Sequence, residues 1–166
     1  MNDMDLALEE CIRTYEQEIS RKNTLESKAS TILSTNAIVI SILIGLVTLI
    51  LTNSSNFKYV FVIIILNLFA LILVFISIIY SLKTIEIKKR FIPFDIHDPN
   101  SLKRSLKSPS LYDELFKRYL NITAKIFDVN NSKCKYLMNS FKLLICGLSV
   151  SFFSILLIVL VFFKVI

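Results

Sequence analysis

Few side chains in this sequence of 166 residues are placed to do chemistry, and the first to weigh is its one histidine. His97 sits between Asp95 and Asp98 in a proline-bearing stretch. An imidazole beside two carboxylates can touch a metal, but a closed site needs a second imidazole or a thiolate at ligand spacing. None follows, so a solvated turn is the expectation. Cys11, Cys134 and Cys146 form no CxxC pair; Cys11 and Cys134 fall in segments expected to be cytosolic, where thiols stay reduced. Both glycines, Gly45 and Gly147, lie inside apolar runs, which leaves no glycine-rich loop to cradle a phosphate. No Ser-His-Asp or Cys-His arrangement has supporting context. These residues point to a non-enzyme with no metal and no cofactor.

Basic charge is what remains. Lys88, Lys89 and Arg90 are followed by Lys103, Arg104 and Lys107. Such a cluster beside a membrane span rests against anionic lipid headgroups, or else holds an anionic ligand between loop and stem. With Lys28, the residues Lys88, Lys89, Arg90, Lys103 and Arg104 form the candidate ligand set. The net charge of +6 is small for a protein that binds a nucleic acid polymer, and no such partner is expected.

The elements that must position these residues are long and apolar. The composition is 54% hydrophobic, with two glycines, three prolines and no tryptophan, which favours a few long helices in a membrane. The apolar runs are continuous rather than alternating, which argues against a β-barrel. No charge occurs between Lys28 and Lys58, or for the 24 residues 59–82, or for the 21 residues 143–163 before Lys164. About 20 mostly apolar residues cross a bilayer core as a helix. The sequence therefore predicts an all-α integral membrane protein with three transmembrane helices and helical cytosolic extensions. The spans are 29–52, 59–82 and 143–164. The first run starts too late, is too long and is preceded by too many acids for a signal peptide.

Residues 1–28 read as a charged helix continuous with the first span, with a seam at Leu8, Ile12, Tyr15 and Ile19. Surface pairs one turn apart are expected at Glu9–Arg13, Glu18–Lys22 and Lys22–Glu26. A polar turn at 53–56 leads to the second span, and residues 83–110 form a basic segment holding all three prolines. Residues 111–142 form a cytosolic helix continuous with the third span, with a seam at Leu115, Tyr119, Ile122, Ile126 and Val129. Seventeen of the 19 basic residues fall in 1–28 and 83–142, which places both on the cytoplasmic side with the C-terminus outside.

Each span carries small or weakly polar residues at helical spacing. They are Ser34, Ala37, Ser41, Gly45, Thr48 and Thr52 in the first, Asn67, Ala70, Ser77 and Ser81 in the second, and Ser140, Gly147, Ser151 and Ser154 in the third. Small residues let helices approach closely in lipid. Ser41, Gly45, Asn67, Gly147 and Ser151 are thus expected to glue the spans together, with Leu43 and Leu156 off the contact. A polar path lined by such residues in an oligomer is the sharper alternative. No span has an ionisable residue in its middle, so an autonomous transporter is not expected. A stem with such narrow seams buries little alone, which favours a homo-oligomer.

The junction Glu26-Ser27-Lys28-Ala29, followed by Leu33 and then Asn36-Ala37-Ile38, resembles the transmembrane effectors of Pycsar anti-phage systems, within the wider group of SLATT-type small prokaryotic membrane proteins. In that family an acidic-x-Lys-Ala junction enters the first span and an Asn follows about two turns later; Lys28 and Asn36 match those positions. The segment with Lys133, Lys135, Tyr136 and Leu137 is similar to the family's lead into its final span. The resemblance implies an antiviral protein of the inner membrane that binds a cyclic pyrimidine nucleotide and compromises that membrane. The other expectation is a structural or accessory subunit that docks a partner through its stem.

Overall fold

The computed structural model describes residues 3–53, 57–86 and 111–162, and every described residue except Glu86 is helical. The helices are α1 (Asp3–Asn53), α2 (Phe57–Ile85) and α3 (Leu111–Phe162). The chain is all-α, with no strand among the described residues. All three prolines lie between α2 and α3 in sequence, so nothing interrupts the main-chain ladder inside a helix. Asp113 and Glu114 occupy the first turn of α3 and Lys83 the last turn of α2, each matched to the dipole at that end. Each of the three helices holds, within Leu6–Thr52, Val60–Ile85 and Asp113–Leu160 respectively, an apolar stretch long enough to cross a membrane. The middle of the turn at 53–56, His97 with its two acids, the basic residues from Lys88 to Lys107 and the end of the third span lie outside the described residues.

The chain divides into two compact units, one made of Met1–Glu26 with Glu86–Cys134, the other of Ser27–Ile85 with Lys135–Ile166. In the second, apolar unit the buried positions alternate at spacings of four and three. On α1 they are Ala29, Ile32, Asn36, Val39, Leu43 and Ile50; on α2 Ile63, Asn67, Ala70, Val74, Ser77, Ser81 and Thr84; on α3 Ser140, Leu144, Gly147, Ser151, Ser154 and Ile158. A mean spacing of 3.5 keeps one seam inward over many turns if the helices coil left-handedly. The contacts Asn67–Ser154, Val74–Gly147 and Ser81–Ser140 advance by seven residues on α2 while receding by seven on α3, so the pair is antiparallel and in register. Ile32, Val39 and Leu43 of α1 join Ala70, Val74 and Leu144 in one apolar cluster, and Ile50, Ile63 and Ile158 form a second.

In the first unit, α1 and α3 run parallel. Tyr15 meets Tyr119, Glu18 meets Asn130, Arg21 meets Asn131 and Glu26 meets Lys133, stepping the same way along both helices. The surface pairing departs from simple i,i+4 expectation. Arg13 pairs with Glu10 at 2.6 Å rather than with Glu9. Glu18 pairs with Arg21 at 3.4 Å rather than with Lys22, because its carboxylate is drawn across to Asn130. Lys22–Glu26 is present at 4.0 Å.

Candidate functional site

Two polar layers are built into the apolar unit. In the first, Asn36 Nδ2 of α1 donates to Ser77 Oγ of α2 at 3.1 Å. Ser77 and Ser140 then bond reciprocally: each hydroxyl donates to the other's main-chain carbonyl, at 2.9 and 2.8 Å. Ser81 Oγ lies 2.7 Å from Ser140 Oγ. Only a side chain as short as serine lets two helices approach closely enough for this exchange. In the second layer Asn67 Nδ2 donates to Ser154 Oγ at 2.9 Å and to the Ile63 carbonyl at 3.0 Å. Asn36 and Asn67 are fully buried, and the Oδ1 of each has no partner among the described residues. An unused buried acceptor costs about 1–3 kcal/mol, so these asparagines are poor glue. What they fix is register, as a lone polar residue on a coiled-coil seam does.

The five expected packing residues divide. Asn67, Gly147 and Ser151 are buried. A Cβ on Gly147 would meet Val74 Cγ2 at 3.0 Å and the Ala70 carbonyl oxygen at 3.6 Å, so α2 packs against this glycine with little room for a side chain. Ser41 and Gly45 are corrected. Both are exposed, nothing lies within 4 Å of a Cβ placed on Gly45, and Ser41 bonds only its own helix, to the Ala37 carbonyl at 3.0 Å. The whole first-span stripe turns outward, while Leu43, expected off the contact, is fully buried in the apolar core. The physical reason is that α1 fills its inner seam with Ile32, Val39, Leu43 and Ile50, and its small residues fall on the opposite side of the helix.

Of the candidate ligand residues, Lys28 is exposed on α1; Lys88, Lys89, Arg90, Lys103 and Arg104 lie outside the described residues. The stem buries polar residues whose burial the apolar seams did not indicate. Lys133 is buried and gives its ammonium to Glu26 Oε1, the same oxygen that Lys22 approaches at 4.0 Å. Asn130 is also buried and donates to the Glu18 carboxylate and main-chain oxygen, both at 2.8 Å. The signal was available: Ile126, Asn130 and Lys133 are spaced four and three, but the preference for apolar seams favoured Val129. Nearby, burial and then the charge of Glu10 push the Cys11 thiol above its ordinary value, and burial and then Tyr119 raise Tyr15. Tyr15 and Tyr119 stack edge to face with centroids 5.5 Å apart. Among the described residues no three His, Cys, Asp or Glu side chains converge. Compared with protein-family models, with curated proteins and with solved structures, the chain matches none.

Proposed function

We propose that this chain is a non-enzymatic, multi-pass protein of a prokaryotic cytoplasmic membrane that self-assembles through the outward face of α1 and acts as a nucleotide-switched, membrane-disrupting antiviral effector. The observation that carries the assembly is the contrast between faces. The exposed side of α1 bears Ser34, Ala37, Ser41, Gly45, Thr48 and Thr52, flanked by exposed Ile38, Ile42, Ile44 and Leu49 but by no aromatic ring, whereas α2 and α3 turn Phe61, Phe69, Phe75, Phe141, Phe152 and Phe153 outward. In lipid there is no hydrophobic drive between helices, and close backbone approach at small residues supplies the attraction instead. The α1 hydroxyls already donate to carbonyls one turn back, so the face tolerates lipid while the subunits are apart. In an assembly those hydroxyls from several copies share one surface, the most polar that the spans offer. The N-terminus lies inside and the C-terminus outside, a reading supported by the 17-to-2 split of basic residues.

The switch rests on the family-like junction at Lys28 and Asn36 and on the basic segment from Lys88 to Lys107. A cyclic pyrimidine nucleotide shifts the helical arrangement only by its difference in affinity for two states, about 1.4 kcal/mol per tenfold. The experiment is to express the chain with and without a cyclase making cyclic UMP or cyclic CMP and to follow membrane potential. Depolarisation should need the nucleotide and vanish on Lys88→Glu with Lys89→Glu. If neither nucleotide binds the purified protein at micromolar concentration, the accessory-subunit reading takes its place. One observation favours that second reading: Leu120 and Phe127, two turns apart on α3, leave an exposed apolar strip on the stem.

A further inference from the structure

The formal charge of the chain is unevenly divided. All 13 acidic residues lie in 1–26 and 86–134, matched there by 13 basic ones; the apolar unit, 27–85 with 135–166, holds six lysines, no acid, and so the whole net charge of +6. Four of these lysines (Lys28, Lys83, Lys135 and Lys142) are exposed, and none has an ion-pair partner among the described residues. Helix register puts three of them within about 5 Å of one another in depth. Counting from the layer where Asn36, Ser77 and Ser140 bond, Lys28 lies about 12 Å, Lys83 about 9 Å and Lys135 about 8 Å toward the same end at 1.5 Å per residue. Lys83 is held further. Its ammonium stands 5.9 Å from the Tyr80 ring centroid and 5.8 Å from that of Tyr136, and the two rings are 6.3 Å apart at 31°. Cation–π attraction to both rings fixes the charge without neutralising it. Tyrosines at this depth, next to lysines, mark a membrane–water interface.

We propose that Lys83, set between Tyr80 and Tyr136, is a binding site for the phosphodiester headgroup of an anionic phospholipid. The ammonium supplies the ionic bond, and the tyrosine hydroxyls, without partners among the described residues, supply donors. Lys135, beside Tyr136 in sequence, adds charge. A lipid rather than free phosphate is favoured because Leu82, Ile79, Ile76 and Phe75 continue as an exposed apolar strip from the site along α2, where an acyl chain can lie. The inference rests on the membrane-spanning reading above.

The test is native mass spectrometry of the full-length protein in a neutral detergent containing equal amounts of dioleoyl phosphatidylglycerol and dioleoyl phosphatidylcholine. Phosphatidylglycerol should be retained preferentially. Lys83→Gln should cut that preference by about fivefold, the scale of one basic side chain at an anionic surface, and Tyr136→Leu, which removes one hydroxyl donor and one ring facing the ammonium, should cut it by less. Lys83→Arg and the stem control Lys117→Gln should leave it intact. Equal retention of the two lipids, or an unchanged preference in Lys83→Gln, overturns the site. Displacement of phosphatidylglycerol by millimolar inorganic phosphate overturns the lipid as its occupant. Reconstitution into phosphatidylcholine vesicles separates the two levels. A chain that resists alkaline carbonate extraction but shows no lipid preference fails only this proposal, and a chain that is extracted fails the membrane reading itself.

Discussion

A charge inside a helical stem needs its partner more than it stabilises the fold. Lys133 is 4% exposed and rests on Glu26, with Lys22 near the same carboxylate oxygen. Lys133→Met should lower the stability of the stem by about 1.5–3 kcal/mol, the worth of a charged hydrogen bond, toward the lower end because Lys22 remains for Glu26. Adding Glu26→Leu should recover part of the loss, since it removes the carboxylate that Lys133 leaves behind while Lys22, partly exposed, loses its own partner. Unfolding in detergent, followed by circular dichroism, checks both; equal losses in the single and double variants would mean that Lys133 acts through packing alone. At Cys11, burial and the neighbouring Glu10 favour the neutral thiol. Its contribution is therefore constant below the ordinary thiol value and is lost as pH rises through and beyond it. With Cys134 and Cys146 replaced by alanine, iodoacetamide at neutral pH should modify folded Cys11 more slowly than the denatured chain, with the gap closing at alkaline pH.

At the scale of the helix, the two glycines have opposite roles although both sit on small-residue stripes. Gly147→Leu forces a side chain against Val74, itself fully buried, and should destabilise the apolar unit by about 1–3 kcal/mol or more through overpacking. Gly45→Leu meets nothing within the chain. It should leave the melting temperature in detergent unchanged while abolishing cysteine cross-linking between copies at Ser41→Cys. If Gly45→Leu cross-links as well as the parent, the α1 face is a lipid face and the assembly forms elsewhere. Replacing Ser140 by Ala removes the hydroxyl shared by Ser77 and Ser81, a loss of about 1 kcal/mol on the scale of interhelical bonds in membranes. The stripes themselves were legible from spacing. Which way the first one faces was not, because a helix with apolar residues all round offers two plausible inner sides, and the choice depends on what the other helices present.

For the molecule as a whole, the decisive quantity is where charge lies along the chain. A reporter fused after Ile166 should be extracytoplasmic and one inserted near Asn100 cytoplasmic, since 17 basic residues lie in 1–28 and 83–142 and only Lys58 and Lys164 lie elsewhere. A cytoplasmic C-terminus would rule out the three-span arrangement. The same distribution leaves the apolar unit, 27–85 with 135–166, without an acidic residue of its own.

The sequence alone determined the all-α class and, among the described residues, the three helices long and apolar enough to cross a membrane. Those properties follow from local facts: uncharged runs long enough to span lipid, no proline outside one segment, and acids placed at the start of α3. Tertiary structure decided which side of each helix is inside. Ser77, Ser140 and Gly147 became contacts because α2 and α3 pair antiparallel in a register that brings small residue to small residue. Ser41 and Gly45, of the same types and spacing, became surface. Lys133 and Asn130 are buried in the stem against their usual exposure because each found a hydrogen-bond partner on the facing helix, Glu26 and the half-buried Glu18. Burial of a polar group is set by what stands opposite it, and a linear pattern does not contain that information.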